Sequence, residues 1–150
     1  MESPFEAVVA YFETEHAGYF AVDEPSMSVA LSLQGANGTY HALVTWSDEA
    51  QRLTFSVRGI ITVPEDKRVA ACVLANLINW SISIGNFELS MDDGELAMKL
   101  AFDLADGELG FGQINENFNS VLGVADHYAP AFHRLVRANL TPEEALSFVG

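Results

Sequence analysis

The chain has 150 residues, 49% hydrophobic and 19% charged, with 21 acidic against 7 basic side chains and a formal net charge of −14. A chain of this length buries roughly 70% of the surface its unfolded form exposes, so a core can form without disulfides or a structural metal. The acidity is spread as −6 over residues 1–75 and −8 over residues 76–150, and it repels phosphate backbones and anionic lipid, which counts against nucleic-acid and membrane-surface binding.

The opening segment MESPFEAVVAYFETEH has no basic n-region, so no signal peptide is read there and a cytoplasmic location is expected. Ser3-Pro4-Phe5-Glu6 reads as a capping box that starts a helix. Phe5, Val8, Val9 and Phe12 then fall at helical spacing as an apolar stripe, and Gly18 is expected to end the helix. Tyr19 to Val22 offers a short leading strand. Met27, Val29, Leu31 and Leu33 alternate with polar or small residues, as do Tyr40, Ala42, Val44 and Trp46, and then Leu53, Phe55 and Val57. The Asn37-Gly38 pair suits the positive φ angles of a tight hairpin turn, so these strands read as an antiparallel meander.

Pro64 opens a second helix, expected to run to about Ile82. Its middle, VAACVLANLINW, is apolar on nearly every face and needs cover on more than one side. The uncharged run Val69 to Phe87 covers 19 residues, but its asparagines, serines and glycine make it a buried helix entering a loop, not a membrane span. A second strand pair follows: Phe87, Leu89 and Met91, the turn Asp92-Asp93-Gly94, then Leu96 to Leu104, with Asp106-Gly107 closing it. A third helix carries Ile114, Phe118, Val121, Ala125, Tyr128, Phe132 and Leu135. Pro130 lacks a backbone donor, so a kink or break near Tyr128 is expected. Thr141-Pro142-Glu143-Glu144 caps a short last helix. One domain over residues 1–150 is expected: an α+β two-layer fold, an antiparallel sheet of five to six strands with helices on one face, in the order α-β-β-β-α-β-β-α.

Chemistry is harder to find. Cys72 sits among Ala71, Val73 and Leu74 and reads as a small core residue, without a base to activate it. His16, His41, His127 and His133 lack metal-ligand spacing, and Asp92-Asp93-Gly94-Glu95 lacks that of a calcium loop, so no metal is expected. The glycines from Gly107 to Gly112 follow an antiparallel strand and miss the third glycine of a dinucleotide turn. No cofactor is expected, and no pair of carboxylates stands out as catalytic.

Three segments carry a resemblance. VPEDKRVAACVLANLINW is a Val-Pro helix start that closes on Leu-Ile-Asn. IGNFELSMDDGELAMKLAF is a Gly-x-Phe strand, an acidic hairpin turn and a second strand. ADHYAPAFHRLVRANLTPEEAL is an aromatic-Ala-Pro segment followed by a capped terminus. With NGTYHALVTW upstream, their order and spacing resemble the YbjN family of bacterial sensory transduction regulators, which shares the fold of type III secretion chaperones. The resemblance implies a non-catalytic regulatory or chaperone-like module that binds a protein partner or client, as a homodimer. It supplies no catalytic residue. The subunit or partner interface is expected to draw on Leu74, Leu77, Ile78, Trp80 and Ile82. The same residues equally suit an intramolecular core. A small-molecule sensor or an enzyme with its site between helix and sheet is the alternative, and it requires a concave pocket with convergent polar groups.

Overall fold

The computed structural model describes residues 2–16, 19–105 and 107–149. Gly18 and Asp106, expected to end the first helix and the last strand, lie outside the described residues. Helix α1 (Pro4–Glu15) starts with the Ser3 capping box: the Ser3 hydroxyl accepts from the Glu6 N–H and the Glu6 carboxylate accepts from the Ser3 N–H. Strands β1 (Phe20–Asp23), β2 (Ser28–Gln34), β3 (Thr39–Ser47) and β4 (Arg52–Arg58) follow. After a 3₁₀ turn over Glu65–Lys67 come α2 (Arg68–Ser81), β5 (Asn86–Leu89), β6 (Leu96–Asp103), α3 (Phe111–Arg137) and α4 (Pro142–Ser147). The fold is α+β, with the leading strand present and six strands in all, ordered β1-β2-β3-β4-β6-β5 with every pairing antiparallel.

Strand alternation decides which face is covered. Val29, Val44, Phe55 and Leu100 share one inward row, and Trp46, Leu53 and Phe102 share the next. The opposite face carries Ser32, His41, Thr54, Arg58, Lys99 and Asp103 and stays open to solvent. Helices α1 and α3 lie over the inward face, while α2 packs along β5 and against α4. Tyr11 replaces Val9 in the buried stripe of α1, because its hydroxyl reaches Asn115 Oδ1 at 2.8 Å and so satisfies the polar end of a buried ring. Burying each such side chain contributes about 1.5–3 kcal/mol.

Three local expectations give way to tertiary contacts. Asn37 and Gly38 have negative φ, so the β2–β3 connection is not the expected turn. Instead, the Asp126 carboxylate on α3 takes the N–H groups of Ala36 (2.9 Å) and Asn37 (2.8 Å) and the Tyr40 hydroxyl (2.6 Å). Helix α3 also runs unbroken through Pro130. A proline at that position cannot donate to the carbonyl four residues earlier, and that carbonyl, of Asp126, accepts from Asn37 Nδ2 at 2.9 Å. The loop therefore repairs the vacancy that proline makes. Finally, β5 ends at Leu89, leaving Met91 in the hairpin turn. The helix expected to open at Pro64 begins as a 3₁₀ turn over Glu65–Lys67, with α2 itself starting at Arg68 and ending, near the expected Ile82, at Ser81. Gly94 is required in the hairpin turn: its φ is 79°, and a Cβ would lie 2.0 Å from the Val63 carbonyl oxygen.

Candidate interaction surface

Helix α2 is pinned at both ends. At its start, Arg68 Nε donates to the Val63 carbonyl (3.1 Å) and Nη1 to those of Met91 (3.1 Å) and Asp92 (3.4 Å), which ties the helix to the β5–β6 hairpin. At its end, Asn79 pairs with the outer edge of β5. Its Oδ1 accepts from the Phe87 N–H at 2.8 Å and its Nδ2 donates to the Phe87 carbonyl at 3.1 Å. A side-chain amide thus stands in for the next strand and closes an edge that would otherwise be free to pair. Asn79→Ala is expected to cost about 1–3 kcal/mol, because it strands both backbone groups of Phe87. Faster amide exchange at Phe87 would be the local sign, and unchanged exchange would count against the clasp.

Between the two anchors, the faces of α2 separate. Ala71, Leu74, Ala75 and Ile78 are buried. Val69 (70% exposed), Val73 (42%) and Trp80 (91%) point outward, with Asn76 between them. These four lie at i, i+4, i+7 and i+11, one continuous uncharged stripe. The all-round apolar pattern is therefore covered on only part of its circumference: Ala71, Leu74, Ala75 and Ile78 face inward, and Val69, Val73 and Trp80 face out. Cys72 is half-buried at the rim of the core, with its Sγ 3.5 Å from the Sδ of Met91, itself exposed, so the hairpin continues the apolar surface.

Of the residues expected at an interface, Leu74 and Ile78 are in the core, Leu77 and Ile82 are half-buried, and Trp80 is exposed. Val69 and Val73, not among the expected residues, are exposed on the same helix. Their β-branched side chains look like core residues in a sequence, and only the position of α4 and the sheet shows which arc of α2 is left uncovered.

The open sheet face is different in kind. Arg52 and Asp103 pair at 2.6 Å, Lys99 and Glu88 at 3.0 Å, and Arg58 and Glu95 at 3.9 Å. The Arg52 hydrogen bond holds the Asp103 carboxyl below its ordinary range. Burial pushes Glu88 up, but hydrogen bonds from Lys99 and Asn86 outweigh it, so the net direction is down. Such exposed pairs contribute little stability, about 0–1 kcal/mol each. Their effect is to neutralise the sheet locally.

A hollow of about 500 Å³ lies on the outer strands by Ala30, Ser32 and His41, and two others flank α3. One, of about 470 Å³, is lined by Ile82, Ser83, Ile84, Ser120, Val124 and Tyr128 among others. Another, of about 530 Å³, lies between the β2–β3 loop, Gly59-Ile60 and the end of α3. Among the described residues, no cluster of three or more His, Cys, Asp or Glu side chains is placed to hold a metal, and no helix is long and apolar enough to cross a membrane.

No curated protein matches the chain. Among solved structures, YbjN from E. coli is similar with a TM-score of 0.60 at 13% identity, covering 83% of this chain and 87% of that one. The ExsC–ExsE complex contains a chain similar at a TM-score of 0.55 and 15% identity, covering 91% of this chain and 97% of that one. Both likenesses are of fold. At the level of sequence, residues 4–134 match the YbjN family model, described as "Putative bacterial sensory transduction regulator", and the chain belongs to the YbjN family.

Proposed function

We propose that the chain is a non-catalytic regulatory or chaperone-like module of the cytoplasm, homodimeric through the outward face of α2 and acting on a protein partner. The observation that carries this reading is the exposed stripe of Val69, Val73 and Trp80 on a protein of net charge −14. Charge of this size keeps a surface soluble, so an uncharged stripe ending in a 91% exposed tryptophan is costly to leave wet. Tryptophan is enriched among the few side chains that dominate binding energy. A likeness of fold to a chain in the ExsC–ExsE complex supports a partner-binding role. The family description supports a regulatory one.

Sedimentation tests the dimer. The wild type is expected at twice the 16.3 kDa chain mass at micromolar concentration, and Trp80→Asp at the chain mass itself. The substitution is expected to weaken self-association by roughly 30-fold or more, the equivalent of about 2 kcal/mol at a hot spot. A wild type that stays monomeric at high micromolar concentration removes the homodimer. Because Trp80 is exposed, an unchanged melting temperature in the variant separates lost association from lost folding.

A further inference from the structure

The hollow at the end of α3 has a chemistry the rest of the protein lacks. Five of the seven basic side chains are engaged. Arg52, Arg58 and Lys99 pair with acids on the sheet. Lys67 donates to Asn139, and Arg68 donates to three carbonyls. Arg134 and Arg137 make no ion pair or hydrogen bond among the described residues, and both line the hollow. Arg134 is steadied by the Phe148 ring, its guanidinium carbon 4.2 Å from the ring centre. Two cations in the last turn of a helix also complement the helix dipole. That explains their place in the sequence, but not why a protein with a threefold excess of acids leaves them, among the described residues, without an ion pair around a concavity of about 530 Å³.

The other walls fit the same occupant. Asn37, Gly38 and Gly59 bring backbone to the rim without bulky side chains, and Ile60, Pro130 and Ala138 form an apolar side. His133 also lines the hollow, and its Nδ1 is buried with no partner among the described residues. Burial and then the nearby Arg137 charge hold His133 below its usual range. We infer that this hollow binds a phosphate group, free or as the monoester of a small molecule, between Arg134 and Arg137. Arginines three residues apart on a helix sit side by side. Their planar forks can grip separate oxygens of a tetrahedral phosphate, where a single carboxylate offers only two oxygens in one plane. The global charge of −14 repels anions at long range, so discrimination has to come from these short contacts, and a Debye length of about 8 Å at physiological salt leaves them largely unscreened.

The test is an amide-resolved NMR titration of the full chain at constant ionic strength, with chloride as the compensating anion. The probes are inorganic phosphate, glycerol phosphate and succinate. Saturable shifts at Gly38, Gly59, Ile60 and Ala138 with either phosphate are expected, and the tighter of the two identifies the free or esterified source. Arg137→Gln and Arg134→Gln should each weaken binding by roughly tenfold, the loss of one charge-assisted contact. Arg52→Gln, on the open sheet face, should bind as the wild type does. Absence of saturation, equal binding of succinate, or shifts that survive in the double variant would each overturn the site. Both arginines lie on the surface, so an unchanged melting temperature confirms that the variants are folded.

Discussion

Phe118→Ala is expected to lower the unfolding free energy by about 3–5 kcal/mol, the largest loss from a single truncation argued for this protein. Phe118 is 1% exposed and stands where α1, α3 and the sheet meet. Its ring lies edge-on to Phe12 at 5.1 Å, with His16 at 5.8 Å, Phe55 at 6.2 Å and Tyr11 at 6.3 Å. Removing it takes away its own transfer free energy and leaves a cavity lined by rings held from α1 and β4, which cannot collapse together. Domains are stable by only about 5–15 kcal/mol, so the alanine variant could unfold outright, and Phe118→Leu provides the graded comparison. Urea unfolding of both checks the argument. A loss below about 1 kcal/mol for alanine would mean that the aromatic cluster does not hold α1 to the sheet.

Asp126→Ala is the second large effect, expected to cost about 2–3 kcal/mol at neutral pH. The carboxylate takes three donors, from Ala36, Asn37 and Tyr40; replacing it hands the two exposed N–H groups to water and leaves the partly buried Tyr40 hydroxyl without its partner. Burial by itself would push the Asp126 carboxyl up, but those hydrogen bonds outweigh it and hold it below the ordinary range. A carboxyl depressed in the folded state contributes its stability above the unfolded value of about 4 and loses it as the pH falls through the folded value. The wild type and Asp126→Ala should therefore differ fully at pH 7 and converge in acid. Glu88, Asp93 and Asp103 are depressed as well, so the informative quantity is the difference between the two proteins, not either curve alone. At the alkaline end, burial first and Asp126 second raise the Tyr40 phenol. Its contribution is complete below the unfolded value of about 10 and declines above it. A pH-independent gap between wild type and variant would show that the carboxylate charge plays no part in the clasp.

The same residues show where sequence reading stops. The capping boxes at Ser3 and Thr141 were legible because each is closed within four residues. Strand alternation was legible because a period of two allows only one face inward. Asn37-Gly38 misled because its geometry is set by a carboxylate some ninety positions away in the chain, and local turn propensity contains no such information. A break at Pro130 does not occur: α3 continues through it, and the carbonyl that proline leaves free is satisfied from Asn37. Cys72 was expected in the core and sits at its rim, because the hairpin bearing Met91 covers it on one side only.

The candidate surface divides in the same way. An apolar helix between Pro64 and Ile82 was plain from composition, and so was the need to cover it. Which arc stays open depends on where β5, β6 and α4 settle. The order β4-β6-β5 places β5 at an edge, where Asn79 seals the backbone and α2 lies along it, leaving one side of the helix without a neighbour. Composition and periodicity alone determined the acidic charge, the α+β class, the capped starts of α1 and α4 and the inward faces of β2, β3, β4 and β6, because these follow from local backbone chemistry and the burial of apolar surface. Tertiary structure decided the strand order, the continuity of α3, the exposure of Trp80 and the meeting of Arg134 and Arg137 around one hollow. Each of those depends on which distant groups are brought together to satisfy, or to leave open, a polar or apolar surface.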